Sequence, residues 1–375
     1  MAIHFKKDAW KKIKKDSIAW WEGKLERPLI NIRLPGADPG MPRPEGIVSQ
    51  LRDNIEYFDI LKCFSRSYFD FSIPVETILT QWQYVLSCEK YIGDAYPAMT
   101  PFLGPFANSL FMGAKEIITP ETIWCESSME TPVSEIHFSF NSEEPLFKRI
   151  KDIYEAAAQY FDGNICFGMI HLNNGIDSIA PFTSSEAMAL AYYDDPDHLK
   201  RLIWENHELF FKYFNAYVKA MGHDLPGYTT LCSLFSTTPW SILQSDYSAM
   251  IGPKMYEEFI LPELAACCRK IENSYYHLDG TGALQHLDMI LSIPELKCIQ
   301  WVPGDGRPDC KHWLDVYKKI RSAGKLIHLY GELDTLEVVA EQLGSANGIY
   351  FTSTAIASQE DKVMRLLENF GVTAS

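Results

Sequence analysis

The sequence predicts an α/β protein, a single (β/α)8 TIM barrel with an N-terminal helical extension. Short strand-like segments recur near positions 30, 95, 167, 229, 277, 299, 327 and 350, which makes eight candidate strands. Helix-length segments separate them through the second half of the chain, and helical crossovers between buried strands imply parallel pairing. Eight parallel strands suit a closed barrel better than the alternative, an open doubly wound sheet. That alternative also lacks its usual signature. No Gly-x-Gly-x-x-Gly follows a strand, and no Gly-x-x-x-x-Gly-Lys-Ser/Thr loop is present to cradle a phosphate.

The elements follow in order. Residues 1–26 form the extension and residues 27–375 the barrel. Within 6–25, Trp10, Ile13, Ile18 and Trp21 recur at roughly helical spacing with lysines between them, as in a helix docked on its own acidic barrel. A strand spans 27–34 and stops at Pro35-Gly36. A polar, Pro-rich loop runs through Pro44, and a helix covers 47–65. Residues 69–131 resist assignment, because Pro and Gly punctuate 96–105 and forbid one long helix there. The second strand is placed by count alone.

Apolar periodicity predicts a helix over 145–161 and a buried strand over 164–170. Residues 184–221 read as helix interrupted at Asp194-Asp-Pro196, where Pro starts a second helix. Strands at 226–231, 275–279, 296–302, 326–329 and 349–352 then alternate with helices at 253–272, 283–291, 311–323, 336–343 and 360–370.

Among the 375 residues, 34 are Lys or Arg and 49 Asp or Glu, a net charge of −15. Such a surface repels phosphate backbones and anionic lipid, which argues against nucleic-acid and membrane partners. No run approaches the roughly 20 apolar residues of a membrane span. Nine Cys, an odd number with no Cys-x-x-Cys pair, read as reduced thiols of a cytoplasmic protein with no secretory signal. Aromatic residues make up 13% of the chain and supply rings for a large core and a lined pocket.

In a barrel the chemistry collects at the carboxyl ends of the strands. At the fifth strand, Tyr275-Tyr-His-Leu-Asp-Gly280 places Tyr275, His277 and Asp279 on one side by the two-residue period. A His and a carboxylate two apart can bind a metal or share a proton near neutral pH; capping and rim hydrogen bonds are the bland alternative. At the sixth strand, Gln300 and Trp301 offer an amide and a ring platform. At the seventh, His328, Tyr330 and Glu332 share a face, and Glu332 is a candidate third ligand or general acid. Thr352-Ser-Thr354 at the eighth reads as a helix cap. Earlier strands add His171 and Asn173, with Asp177 nearby, then Cys232 and Asp246. Cys232 is the one thiol placed where a metal could use it. Cys166 and Cys298 read as core, and Cys267-Cys268 as adjacent helical residues needing no function.

The stretch from Asp246 through Met250-Ile-Gly-Pro253 to Phe259-Ile-Leu-Pro262 resembles the segment before the fifth strand in the uroporphyrinogen decarboxylase superfamily. Tyr276-His-Leu-Asp-Gly280 resembles that superfamily's His-x-Asp-Gly or His-x-Cys-Gly strand end. Trp20-Trp-Glu-Gly-Lys-Leu-Glu-Arg-Pro28 and Leu103-Gly-Pro-Phe-Ala107 look like its decarboxylase-like branch. The resemblance implies the (β/α)8 barrel over most of the chain. The true decarboxylases carry Arg-Gln-Ala-Gly-Arg after the first strand to meet substrate carboxylates. Here Arg33-Leu-Pro-Gly-Ala37 keeps one Arg, which ill equips an acidic chain for a substrate with eight carboxylates. The cobalamin-dependent methyltransferases of the superfamily bind zinc through His-x-Cys and a Cys near the last strand. His277 matches the His, whereas Asp279 and Thr352 stand in place of the thiols.

The resemblance therefore implies methyl transfer between a small molecule and a corrinoid supplied by a partner protein. His277, Asp279 and Glu332 would be catalytic. Tyr275, Gln300, Trp301, Tyr330, Asp246, His171 and Asn173 would contact substrate. Zinc or another divalent metal would sit on His277, Asp279, Glu332 and Cys232. Two readings stay open beside it. One is a cofactor-free decarboxylase with Asp279 or His328 as proton donor, the other a non-catalytic corrinoid- or tetrapyrrole-binding protein.

Overall fold

The computed structural model describes residues 3, 5–50, 57–119, 123–126 and 131–373. It is a mixed α/β body built on a mostly parallel sheet. The main sheet has seven strands: β1 (Leu29–Pro35), β2 (Glu89–Gly93), β8 (Ile242–Gln244), β9 (Tyr275–Asp279), β10 (Cys298–Val302), β11 (Leu326–Tyr330) and β12 (Ile349–Thr354). Their order is β2-β1-β12-β11-β10-β9-β8, and every pair is parallel except β1 with β2. A second, wholly parallel sheet joins β3 (Ala98–Met99), β6 (Cys166–Gly168) and β7 (Tyr228–Thr229) in that order. A separate hairpin pairs β4 (Glu116–Ile118) with β5 (Ile123–Cys125).

Among the described residues the strands do not join into the single closed ring expected: the main sheet ends at β2 and β8, and the second at β3 and β7. Hydrogen bonds join strands of the main sheet to the segments that follow β6 and β7. Asn31 Nδ2 donates to Ser233 O at 2.9 Å, Tyr350 Oη to Cys232 O at 3.0 Å, and Gln244 N to Asn174 Oδ1 at 3.0 Å. The central strands β9 to β12 are mostly buried, with polar residues among their inward-facing positions.

Most predicted helices form for the local reasons their sequences advertise. Glu144 caps the helix Pro145–Phe161 by accepting from Leu146 N at 3.0 Å, with Pro145 in its first turn. The long helical stretch breaks into Ser185–Asp194 and Pro196–Met221 at the predicted proline. The helix expected over 253–272 is less regular. A π-turn occupies Tyr256–Ile260, just before Pro262, whose missing N–H disturbs the ladder of hydrogen bonds. Of the helix expected over 47–65, Ile47–Gln50 is a 3-10 turn and Tyr57–Phe69 is α-helical; 51–56 lie outside the described residues.

The N-terminal helix Lys7–Trp21 docks on the body as expected, burying Ile13, Ser17, Trp20 and Trp21. Trp21 Nε1 donates to Phe235 O at 2.9 Å, and the Trp20 ring lies 6.1 Å from that of Tyr350. Tyr350 stands near the start of β12, opposite its carboxyl end. Among the described residues no helix is long and apolar enough to cross a membrane.

Candidate active site

Strand register creates the site. Gln244 on β8 pairs with His277 on β9, His277 with Gln300 on β10, and Gln300 with His328 on β11. Residues paired across parallel strands point to the same face, so amide, imidazole, amide and imidazole form one polar rung. All four line a cavity of about 1290 Å3 that is also walled by residues of β1, β12 and the segments after β6 and β7.

His277 Nδ1 lies 2.7 Å from Gln300 Oε1. A carbonyl oxygen only accepts, so Nδ1 donates and Nε2 keeps its lone pair. His328 is held at both nitrogens, with Nδ1 2.7 Å from Tyr275 Oη and Nε2 2.9 Å from Thr352 Oγ1. Burial first, and then the neighbouring His277, push His328 down to about 3 and His171 down to about 4. Both are neutral at pH 7. His171 faces the cavity with a buried Nε2 that finds no hydrogen-bond partner.

Beside the rung sits a pair of carboxyl groups. Asp177 is buried and accepts from two consecutive backbone amides, Asp246 N at 2.7 Å and Tyr247 N at 3.1 Å. Asp246 opens onto the cavity and accepts from Gln244 Nε2 at 3.0 Å. Burial and the neighbouring Asp246 raise Asp177, while burial and Asp279 raise Asp246. Both carboxyl groups therefore hold their protons to higher pH than an ordinary aspartate.

The structure brings together most of the residues the sequence points to. His171, Cys232, Asp246, His277, Gln300, Tyr330 and Glu332 all line the cavity. Asp279 lies one pleat beyond His277 on the same face, partly buried. Asp279 and three other predicted residues, Trp301, Tyr275 and Asn173, are not among the residues lining the cavity. Trp301 pairs with Leu278, on the opposite face to the rung, and is sealed against Trp313 with ring centroids 5.1 Å apart. It is core and no platform for a ligand. Tyr275 lies beneath the cavity floor, fully buried, with its hydroxyl 3.3 Å from Cys232 Sγ and bonded to His328. Asn173 is buried; its backbone carbonyl accepts from Asn108 Nδ2 at 2.8 Å, while its side-chain amide finds no hydrogen-bond partner.

The expected metal ligands do not form a ready set. Among the described residues, His277, Asp279, Glu332 and Cys232 do not bring three ligand atoms within 4.8 Å of one another. Burial raises the Cys232 thiol to about 11, so it keeps its proton at pH 7. The three groups that do converge, His207, Glu263 and Cys267, lie elsewhere.

The sequence reading missed Gln244, because β8 is only three residues long and carries no periodic signal. It also missed Arg43, Lys62 and Glu89 in the wall. Arg33, noticed only as a lone remnant, lies in the wall 3.5 Å from Glu89, whose buried carboxyl is raised by desolvation against the opposing pull of Arg33.

No family model matches the chain, and no curated protein matches it. Among solved structures it is similar to a methyltransferase from Methanosarcina mazei, at 11% identity and a TM-score of 0.55, over 96% of this chain and 99% of that one. At that identity the likeness establishes a shared fold. An enolase protein from Sargasso Sea environmental sequencing matches at 10% identity over 60% of this chain and 68% of its own, with a TM-score of 0.21 too low to carry an argument.

Proposed function

We propose that the chain is a barrel enzyme of one-carbon chemistry that moves a methyl group between a small molecule and a corrinoid held by a partner protein. The main and second sheets are read as parts of one (β/α)8 barrel. The reading rests on the single polar rung Gln244, His277, Gln300 and His328 inside one large cavity. The end-to-end likeness in fold to a methyltransferase supports it. Trp124 and Ile356, 48% and 46% exposed, line the cavity from its outer part and fit the apolar face of a macrocycle. The corrinoid would supply the cobalt that carries the methyl group.

The chain's own residues do the rest. His277, with its tautomer fixed by Gln300, presents the Nε2 lone pair to the substrate. Breaking a bond between methyl and oxygen or nitrogen leaves a basic heteroatom, to which the cavity-facing Asp246 delivers a proton. Asp279 and Glu332 complete the acidic side. No step in this reading passes through a metal at His277. The nine cysteines, none in a disulfide, fit a reduced, cytoplasmic setting. A cofactor-free decarboxylase is the second reading, favoured by the same carboxyl pair, which could protonate a carbanion.

The test is the visible spectrum of added corrinoid on methyl transfer. His277→Ala is expected to slow the change about tenfold or more, the worth of one hydrogen bond to a charged or polarised group. Carbon dioxide release without corrinoid would establish the second reading. Ligand binding with no turnover, unaffected by His277→Ala, would leave a binding protein and end the enzymatic one.

A further inference from the structure

Away from the cavity, three chemically dissimilar side chains meet between the helices Pro196–Met221 and Leu261–Lys270. His207 Nδ1 is 3.0 Å from Glu263 Oε1, Cys267 Sγ is 2.9 Å from the same oxygen, and Sγ is 3.5 Å from Nδ1. Glu263 and Cys267, four residues apart, share one face of their helix, and His207 comes from the other helix. All three are at most 2% exposed. We propose that His207, Glu263 and Cys267 bind one zinc-like divalent ion that pins the two helices together.

The donor atoms stand where an ion needs them. Bonds of about 2.0–2.3 Å directed tetrahedrally set neighbouring ligand atoms about 3.3–3.8 Å apart, so small outward movements admit the ion. Charge favours it as well. A carboxylate, a thiolate and a neutral imidazole balance a divalent cation, so the buried site carries no net charge. Binding is a proton exchange in which the metal–sulfur bond forms as the S–H bond breaks and the proton leaves to solvent. Asn174 Nδ2 already steadies the second carboxylate oxygen at 2.9 Å, as outer partners of metal ligands commonly do. A Cβ on Gly175 would come within 3.1 Å of that oxygen, so the close approach requires glycine.

One group opposes the ion. Lys270 Nζ lies 3.1 Å from His207 Nε2, and an ammonium donates, which places the imidazole proton on Nδ1. Metal on Nδ1 moves that proton to Nε2 and turns Lys270 away. Its alternative partner is at hand, since Glu208 Oε1 is 3.8 Å from Nζ and both side chains are about half exposed or more. The ion and Lys270 therefore compete for one imidazole. With no opening to substrate, such an ion is structural. It stands apart from the methyl-transfer reading except through Asn174, which also accepts from Gln244 N in the cavity wall.

The experiment is a titration of metal-free full-length protein with Co2+, followed by the thiolate-to-cobalt charge-transfer band, and with Zn2+, followed by retained metal. About one equivalent is expected to bind. Cys267→Ser should abolish the band, and His207→Gln should weaken binding about tenfold or more. Lys270→Gln, on a half-exposed residue that folding tolerates, should tighten binding severalfold, and His277→Ala should leave it unchanged. Failure to retain an equivalent, a band that survives Cys267→Ser, weaker binding in Lys270→Gln, or loss of the band in His277→Ala would each overturn the proposal.

Discussion

Arg27→Ala is expected to destabilise the fold by about 3–5 kcal/mol, the usual cost of stranding one partner of a buried ion pair. Asp94, 4% exposed, is the group left behind. Both its oxygens accept from the Arg27 guanidinium at 2.8 Å, while Arg27 also reaches Asp16 at 2.7 Å and Pro28 O at 2.7 Å. Asp94 further accepts from Ile30 N and from Lys12 Nζ, each at 2.9 Å. One residue therefore ties the N-terminal helix, the start of β1 and the turn after β2. Burial alone would raise Asp94, but Arg27 and then Lys12 outweigh it and hold the carboxyl below its ordinary value. A carboxylate so lowered contributes stability above its unfolded value, and that stability is lost as pH falls through its folded value. The difference between wild type and Arg27→Ala in urea unfolding should accordingly be full at pH 7 and shrink in acid below about 4. A difference under about 1 kcal/mol at pH 7 would show the network to be as weak as a surface pair.

The second half of the fold was legible because each strand and helix carries its own period. β9 occupies Tyr275–Asp279, as the alternation predicts, and the break at Pro196 falls where proline must place it. Residues 69–131 were opaque for an equally local reason. β3 is two residues long and pairs with β6 far along the chain, and β4 and β5 are three residues each, all too short to carry a period. The same distinction runs through the site. Residues two apart on one strand, His277 with Asp279 and His328 with Tyr330, were readable as sharing a face. Gln300 and Trp301 could not both face the cavity, since adjacent strand residues point opposite ways, and register gives the cavity to Gln300. Cys267 looked like packing because its partner His207 lies 60 residues away on another helix, a proximity no local pattern encodes.

Asp246→Asn is expected to slow methyl transfer about 100-fold or more, the usual worth of a positioned general acid. Its carboxyl opens on the cavity, is oriented by Gln244 Nε2, and is pushed up to about 6 by burial and by Asp279. The active form is the protonated one, so wild-type activity should fall as pH rises through that value. Asp279→Asn removes the charge that, after burial, raises Asp246, which then titrates lower. The fall in activity should therefore move to more acidic pH in Asp279→Asn. Stability should move the opposite way. A carboxyl whose folded value is raised contributes stability in acid and loses it as pH climbs through the folded value, by up to about 1.4 kcal/mol per pH unit for each proton released. Asp246→Asn leaves one such group in place of two, so its unfolding free energy should decline less steeply between about pH 6 and 8 than that of wild type. Activity profiles and urea unfolding across this range read the two effects separately. A slope unchanged by Asp246→Asn, or an activity limb unmoved by Asp279→Asn, would mean that Asp246 does not hold the titrating proton and that the proton for the leaving group comes from another residue of the cavity.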